Sequence, residues 1–134
     1  MLPVFASLLE TDWMDRIRLL HPNGDFIFVV EGVLMYFREE QVRTFLHNIT
    51  MRFEGGELWF DVCGTMMSEW CEARFLEEHK AQIRSGIDDG HMVELWEPGL
   101  HLLEQANYMK FFRFPLGIFF GQILGRMTRL CYKF

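Results

Sequence analysis

The stretch that most constrains the fold of this chain is an uninterrupted apolar run at residues 26–30, with the sequence FIFVV. The turn sequence PNGD introduces it at residues 22–25. A run of β-branched and aromatic residues without polar alternation is typical of a central parallel strand that is covered on both faces. Since parallel strands need a crossover connection, usually a helix, the run also predicts a helix and a second strand after it.

The next segments fit such a crossover unit. Apolar residues recur at helical spacing over residues 39–53, at Val42, Phe45, Leu46, Ile49 and Phe53. A second apolar run predicts a strand at residues 57–62, and residues 68–80 predict another helix with Ser68 as its N-cap. Strand, helix, strand and helix in this order favour an α/β fold with a parallel sheet.

The last third of the chain predicts shorter elements. Residues 91–96 predict a short helix, which the Pro-Gly pair at residues 98–99 ends. Residues 100–108 and 128–134 predict two strands, and residues 111–127 predict a helix between them.

Length, charge and cysteine content limit the classes of function. The 134 residues, half of them apolar and a quarter charged, predict one folded domain. A net charge of −6 argues against a nucleic-acid partner. Three cysteines without C-x-x-C spacing favour a reduced, cytoplasmic protein, and the scattered histidines predict no metal site. The longest apolar segment, residues 114–125, is shorter than the roughly 20 residues of a membrane span, so we expect no membrane partner.

Several segments together resemble one enzyme family. Residues 29–37, VVEGVLMYF, closely match its E-G-V-L-M-Y-L signature, and residues 6–13, ASLLETDW, are similar to its loop after the third strand. Residues 56–61, GELWFD, are similar to its fifth strand, while residues 83–89 and 95–96 resemble its W-G-I-D and E-x-W segments. The chain thus resembles class I S-adenosylmethionine-dependent methyltransferases, most closely the leucine carboxyl methyltransferases and the tetracenomycin-type polyketide O-methyltransferases.

The resemblance implies the C-terminal half of a Rossmann-like class I methyltransferase sheet, built as strand–helix–strand–helix followed by a terminal strand pair. We therefore expect residues 1–134 to form a single partial domain in which the N-terminal cofactor-binding half is absent. The sequence contains no G-x-G, and nothing in it resembles the E/D-x-G-x-G-x-D segment that wraps the methionine part of the cofactor in the family. Ser85 also stands where the family often has Trp.

Three residues are the candidate contacts for the implied cofactor, S-adenosylmethionine. Glu31 ends the first predicted strand, and the family's Glu at this position contacts the cofactor, whose methionyl ammonium a carboxylate can bind. The alternative is a structural Glu that caps the following loop. Ser7 and Leu8 align with the pair that frames the adenine in the family, and the alternative for them is an ordinary loop.

Met35, Tyr36 and Asp61 are the candidates for the acceptor pocket. Met35 and Tyr36 follow Glu31 and would border the methyl-transfer cavity, although aromatic residues after a strand are more often part of the core. Asp61, at the end of the second strand, would either anchor a loop or line the pocket. The catalytic residue stays unknown, because an ionised carboxylate acceptor requires no general base, whereas a phenol benefits from one.

The leading functional hypothesis is an S-adenosylmethionine-dependent O-methyltransferase. Its acceptor would be a small molecule or a carboxylate-bearing compound, and this chain alone would be truncated and inactive. The alternative is a non-catalytic interaction module derived from a methyltransferase half-domain, which would form a homodimer through the exposed edge of its sheet. Membrane-surface binding through residues 110–129, where aromatic residues are flanked by Lys110, Arg113, Arg126 and Arg129, is the least favoured hypothesis, because the rest of the chain is acidic.

Overall fold

The computed structural model describes residues 6–74, 83–107 and 128–134. Its helices are α1 (Asp12–Leu20), α2 (Glu39–Arg52), α3 (Thr65–Arg74) and α4 (His91–Trp96), and its strands are β1 (Ile27–Val30), β2 (Glu57–Val62), β3 (His101–Asn107) and β4 (Thr128–Lys133). Within these residues the strands form one sheet in the order β1-β2-β4-β3. This mixed α/β architecture confirms the predicted fold class.

The first two strands are parallel neighbours. Ile27 lies opposite Glu57, and the register continues to Val30 opposite Phe60. α2 connects the two strands, so the chain forms the predicted β–α–β unit. Because parallel strands end at the same edge of a sheet, the residues that follow β1 and β2 are brought together.

α2 begins and ends where local signals place its boundaries. Glu39 lies in the first turn, where the helix dipole favours a negative charge, and Gln41 Oε1 accepts the backbone N–H of Arg38 at 2.9 Å. The helix ends before Phe53, and Gly55 turns the chain towards β2 with a φ of +83°. A positive φ of this kind favours glycine.

The C-terminal strands form an antiparallel pair on the other side of β2. β4 runs antiparallel along the whole of β2, with Glu57 opposite Lys133. β3 pairs antiparallel with β4, and the register shifts between Leu102 and Glu104. The predicted terminal strand pair is therefore confirmed.

The core lies on one face of the sheet, which we call the core face. Apolar side chains of α2 pack there against alternate residues of β2 and β4, and α1 adds Met14. The fully buried members include Phe45, Leu46, Ile49, Leu58, Phe60, Leu130 and Tyr132. The opposite side carries the other set of alternating residues, among them Ile27, Val29, Trp59, Arg129 and Cys131, and we call it the second face.

β1 is not the strand covered on both faces that its apolar sequence predicts. Ile27 and Val29 on the second face are 68 % and 63 % exposed, whereas Phe28 and Val30 pack against the core. Within the described residues β1 pairs with β2 alone and lies at the edge of the sheet, which agrees with the exposed sheet edge that we expect of a half-domain. An all-apolar strand can be buried on both faces, but it is buried there only where other elements of the fold pack against each face.

The predicted N-cap of the third helix was wrong. α3 begins at Thr65, and Ser68 lies inside its first turn with its hydroxyl donating to the Thr65 carbonyl at 2.9 Å. The carboxylate of Asp88 accepts from both the backbone N–H of Thr65, at 3.0 Å, and its hydroxyl. A distant carboxylate therefore performs the capping that the sequence assigned to a local serine.

Residues 75–80 of the third predicted helix, and the whole of the helix predicted at residues 111–127, lie outside the described residues. α1, which the sequence analysis did not predict, buries Met14 and joins α2 through an ion pair between Asp15 Oδ1 and Arg52 Nε at 2.7 Å. No helix in the described part of the chain is long and apolar enough to cross a membrane.

Candidate functional site

A hydrogen bond from the backbone of the loop after β1 to a side chain of β2 fixes this loop. Gly32 has a φ of +65°, and its N–H donates to Asp61 Oδ1 at 2.8 Å. Asp61 itself is buried near the end of β2. A buried carboxylate is stabilised when it accepts hydrogen bonds, so Asp61 anchors this loop. This contact matches the loop-anchor alternative for Asp61.

The carboxylate of Glu31, one residue before that anchored glycine, lies beside a cation. Arg129 Nη2 donates to Glu31 Oε1 at 2.7 Å, and the two side chains are 43 % and 57 % exposed, respectively. Arg129 stands opposite Asp61 in the β2–β4 ladder. Since an exposed ion pair of this kind contributes only about 0–1 kcal/mol, the two charges are held near each other without being locked together.

The ion pair borders a concave surface. Val29, Glu31, Trp59, Phe60 and Arg129 line an open depression of about 90 Å³. Its walls are apolar and aromatic, and its charged groups are the carboxylate and the guanidinium just described. The depression lies where β1 ends, which is where ligands collect in open α/β sheets.

Sequence reasoning did not identify Arg129 as a site residue. Its contact with Glu31 joins residues that are 98 positions apart, and it depends on the antiparallel register of β4 beside β2. A single sequence carries no signal of that register, whereas the acid at the end of an apolar strand is visible in it.

Met35 and Tyr36 lie in a 3-10 turn, Leu34–Tyr36, and do not line the depression. Met35 is buried, and its carbonyl accepts the N–H of Arg84 at 2.7 Å and that of Ser85 at 3.3 Å. Tyr36 is exposed. Hydrogen bonds thus join this turn to residues 84–85. The assignment of the Met35 and Tyr36 side chains to an acceptor pocket stays a prediction.

The loop before α1 holds Ser7 and Leu8. Ser7 is exposed, its carbonyl accepts the N–H of Glu10 at 3.1 Å, and its hydroxyl oxygen accepts the N–H of Leu9 at 3.4 Å. Leu8 packs against the core and is partly exposed. A polar and an apolar group are therefore adjacent, as an adenine contact requires, but each already has an intramolecular role.

Cys131 shows how strongly the second face changes from one strand to the next. It lies opposite Trp59 in the β2–β4 ladder and is 1 % exposed. Burial, followed by the negative charges of Glu57 and Glu104, raises the pKa of the Cys131 thiol to about 11. The thiol is therefore protonated at neutral pH and is a poor nucleophile.

The residues present fit one end of S-adenosylmethionine. The exposed carboxylate of Glu31 suits an ammonium group, and the adjacent depression has apolar walls. Its volume, about 90 Å³, is well below the roughly 300–1,000 Å³ of pockets that bury a whole ligand of this size. The fit is thus to the amino-acid end of the cofactor, and the remaining contacts need groups beyond this depression.

No family model matches the sequence, and no curated protein sequence matches it. Solved structures match the fold. An O-methyltransferase family protein from Burkholderia thailandensis superposes with a TM-score of 0.56 at 11 % identity, over 97 % of this chain and 34 % of that one. An S-adenosylmethionine-dependent methyltransferase from Anabaena variabilis gives 0.57 at 14 % identity, over 96 % and 56 %. The N-methyltransferase NodS from Bradyrhizobium japonicum, in complex with S-adenosyl-L-homocysteine, gives 0.53 at 16 % identity, over 96 % and 51 %.

Nearly the whole of this chain therefore aligns with these structures, while it spans between 34 % and 56 % of their length. Identities this low support the fold alone. A protein named as an O-methyltransferase family member and one named as an N-methyltransferase both occur among the matches, so the fold does not select the acceptor atom. The chain has the fold of part of a Rossmann-like class I methyltransferase domain.

Proposed function

We propose that this chain is part of an S-adenosylmethionine-dependent O-methyltransferase, in which it contributes the surface at the ends of β1 and β2. The observation that carries the proposal is the position of Glu31 at the end of a parallel strand, beside an apolar depression, in a fold whose solved neighbours are methyltransferases. Oxygen as the acceptor atom rests on the sequence resemblance to carboxyl and polyketide O-methyltransferases.

Glu31 would bind the ammonium of the cofactor in this proposal. Asp61 would act through the backbone, because its carboxylate holds the Gly32 N–H and so fixes the loop that carries Glu31. Preorganisation of this kind lowers the cost of ordering a side chain when the ligand binds.

Ser7 and Leu8 would contact the adenine, with Leu8 offering apolar surface and Ser7 a hydroxyl group. Met35 and Tyr36 would lie towards the acceptor, since they follow Glu31 in the chain. The acceptor itself would be a small molecule or a carboxylate-bearing compound.

The bound cofactor would supply an activated methyl group on a sulfonium centre. The protein would then have to position the acceptor oxygen and exclude water. A carboxylate acceptor is ionised at neutral pH, so no side chain needs to remove a proton from it.

Calorimetry with two lengths of chain tests the proposal. We expect no saturable heat when the 134-residue chain is titrated with millimolar S-adenosylmethionine, because no G-x-G loop is present to hold the rest of the cofactor. A longer product of the same reading frame should bind it, and the loss of one charge-assisted contact in Glu31→Ala should weaken that binding by about tenfold or more.

Glu39→Ala is the matched control. Glu39 also forms an exposed ion pair, with Arg43 Nη2 at 2.5 Å, but on α2. The Glu39→Ala substitution should therefore leave cofactor binding unchanged. Transfer of a labelled methyl group to carboxylic acids and phenols, and not to amines, tests the oxygen acceptor. If the longer product neither binds the cofactor nor transfers methyl groups, the proposal fails and a non-catalytic module becomes the better account.

A further inference from the structure

The turn that leads into β1 carries an asparagine followed by a glycine, Asn23 and Gly24. Residues 22–23 form the turn, and residues 21–25 are all exposed. A backbone hydrogen bond closes the turn, from the N–H of Gly24 to the carbonyl of His21 at 3.1 Å. The side-chain amide of Asn23 and the backbone nitrogen of Gly24 are thus neighbours in a segment that is open to water.

An asparagine in this position reacts with its own backbone. The Gly24 nitrogen attacks Asn23 Cγ, the new N–C bond closes a five-membered succinimide ring, and the side-chain nitrogen leaves as ammonia. The proton that the Gly24 nitrogen loses balances the proton that the departing nitrogen gains. Water then adds to one of the two ring carbonyls and breaks its C–N bond, which yields aspartate or isoaspartate. Because glycine has no side chain to hinder the attack, water is the only co-reactant that this step needs.

We propose that Asn23 is a modification site at which the folded chain converts its own asparagine to aspartate and isoaspartate. The turn slows this reaction only about threefold to tenfold, because the attack has to break one exposed hydrogen bond. Asn48 is the contrasting residue, since it lies inside α2, where the helix fixes the backbone, and is followed by the buried, β-branched Ile49. The fold therefore exposes one asparagine to this chemistry and protects the other.

The isoaspartate product changes how the chain enters β1. It routes the main chain through the former side chain of Asn23, so the connection gains one methylene as well as a negative charge. Phe26 follows closely, and its carbonyl accepts the N–H of Glu57 at 2.9 Å, while its ring lies 4.8 Å from that of Phe53 between centroids. A longer connection loosens this hydrogen bond at the start of the β1–β2 pair. The aspartate product adds the charge alone and leaves the length of the main chain unchanged.

Peptide mapping by mass spectrometry tests the site. The 134-residue chain and a synthetic peptide of residues 19–27 are incubated together in mildly alkaline buffer and sampled over time. Asn23 should convert in the chain at a rate within about tenfold of its rate in the peptide, while Asn48 stays intact. Asn23→Gln is the matched variant, because it keeps the amide but would need a six-membered ring, and it should stay unmodified over the same period. The proposal is overturned if Asn23 is intact after the peptide has fully converted, or if Asn48 converts as fast.

Hydrogen exchange at the Glu57 amide tests the consequence for β1. The purified isoaspartate form should exchange this proton about threefold to tenfold faster than the fresh chain, as expected for the loss of one hydrogen bond. Asn23→Asp adds the charge without the methylene and should exchange like the fresh chain. Equal exchange in the isoaspartate form and the fresh chain would overturn the effect on β1. Neither measurement involves cofactor binding or methyl transfer, so both are independent of the proposed function.

Discussion

The core face and the second face belong to the same sheet, but they differ in how evenly they are covered. On the core face, Leu58, Phe60 and Tyr132 are all almost completely buried. On the second face, burial changes along the sheet, from the exposed Val29 of β1 to the buried Cys131 of β4. The core face holds the packing that stabilises the fold, and the second face carries the depression and its charges on its exposed side.

The largest expected effect is on the core face. Phe45→Ala removes a ring from α2 that is 1 % exposed, and deletion of a buried phenylalanine ring costs about 3–5 kcal/mol of stability. Met51→Ala is the control on the same helix, because Met51 is 70 % exposed, and it should change stability by no more than about 0.5 kcal/mol. Urea unfolding of both variants measures the difference. Similar losses in the two would contradict the one-sided core.

Alkaline pH should weaken the buried part of the second face. The folded chain keeps the Cys131 thiol protonated to about pH 11, whereas the unfolded chain ionises it near its ordinary pKa of 9.0. The contribution is therefore complete below pH 9 and is lost as the pH rises towards 11, by about 2–3 kcal/mol. Cys131→Ala should show a smaller loss of stability between pH 8 and 11.

Unfolding in urea at several pH values measures this difference. The pKa of Tyr132 is also raised by burial, and its hydroxyl donates to the Gly90 carbonyl at 2.7 Å. Ionisation of Tyr132 lowers the stability of the wild type and of Cys131→Ala alike at high pH, so its contribution cancels when the two proteins are compared. Identical pH profiles for the wild type and Cys131→Ala would show that the thiol ionises equally in the folded and unfolded chains.

A smaller effect is expected at the loop between the two strand ends. Asp61→Ala removes the acceptor of the Gly32 N–H and should cost about 1–3 kcal/mol. Asp61→Asn keeps an oxygen at that position and should restore most of the loss. Hydrogen exchange at the Gly32 amide, measured beside the free energy of unfolding, should accelerate in the alanine variant alone. Equal exchange in both variants would remove the anchoring role of Asp61.

The elements of the sheet that could be predicted from sequence are those with a local signal. The apolar runs of β1 and β2 and the helical spacing of Phe45, Leu46 and Ile49 each lie within one segment, and the structure confirms all three elements. The Pro-Gly pair at residues 98–99 likewise places the end of α4. Burial periodicity and turn residues are properties of short windows, so a single sequence shows them.

The parts that sequence reasoning missed depend on contacts between distant segments. The cap that Asp88 gives to Thr65 and the ion pair of Arg129 with Glu31 both require the final arrangement of the elements. Glu31 and Asp61 are visible in the sequence as acids near the ends of strands, whereas their contacts with Arg129 and with the Gly32 N–H are not.

The smallest expected change in stability tests the exposed edge of β1. Val29 is apolar and exposed, and β1 pairs only with β2 in the described residues. An open apolar edge of this kind tends to pair with another chain, and a lysine on an edge strand opposes such pairing. We expect the chain to self-associate at micromolar concentration in sedimentation experiments. The Val29→Lys substitution should shift the chain towards the monomer while changing its free energy of unfolding by no more than about 0.5 kcal/mol. Leu19→Lys is the control, because Leu19 is also apolar and is even more exposed, 81 % against 63 % for Val29, but lies on α1, so this substitution should leave the association unchanged. A stable monomer of the wild type would refute association through this edge, and equal loss of association in both variants would show that general surface hydrophobicity, and not the edge of β1, causes it.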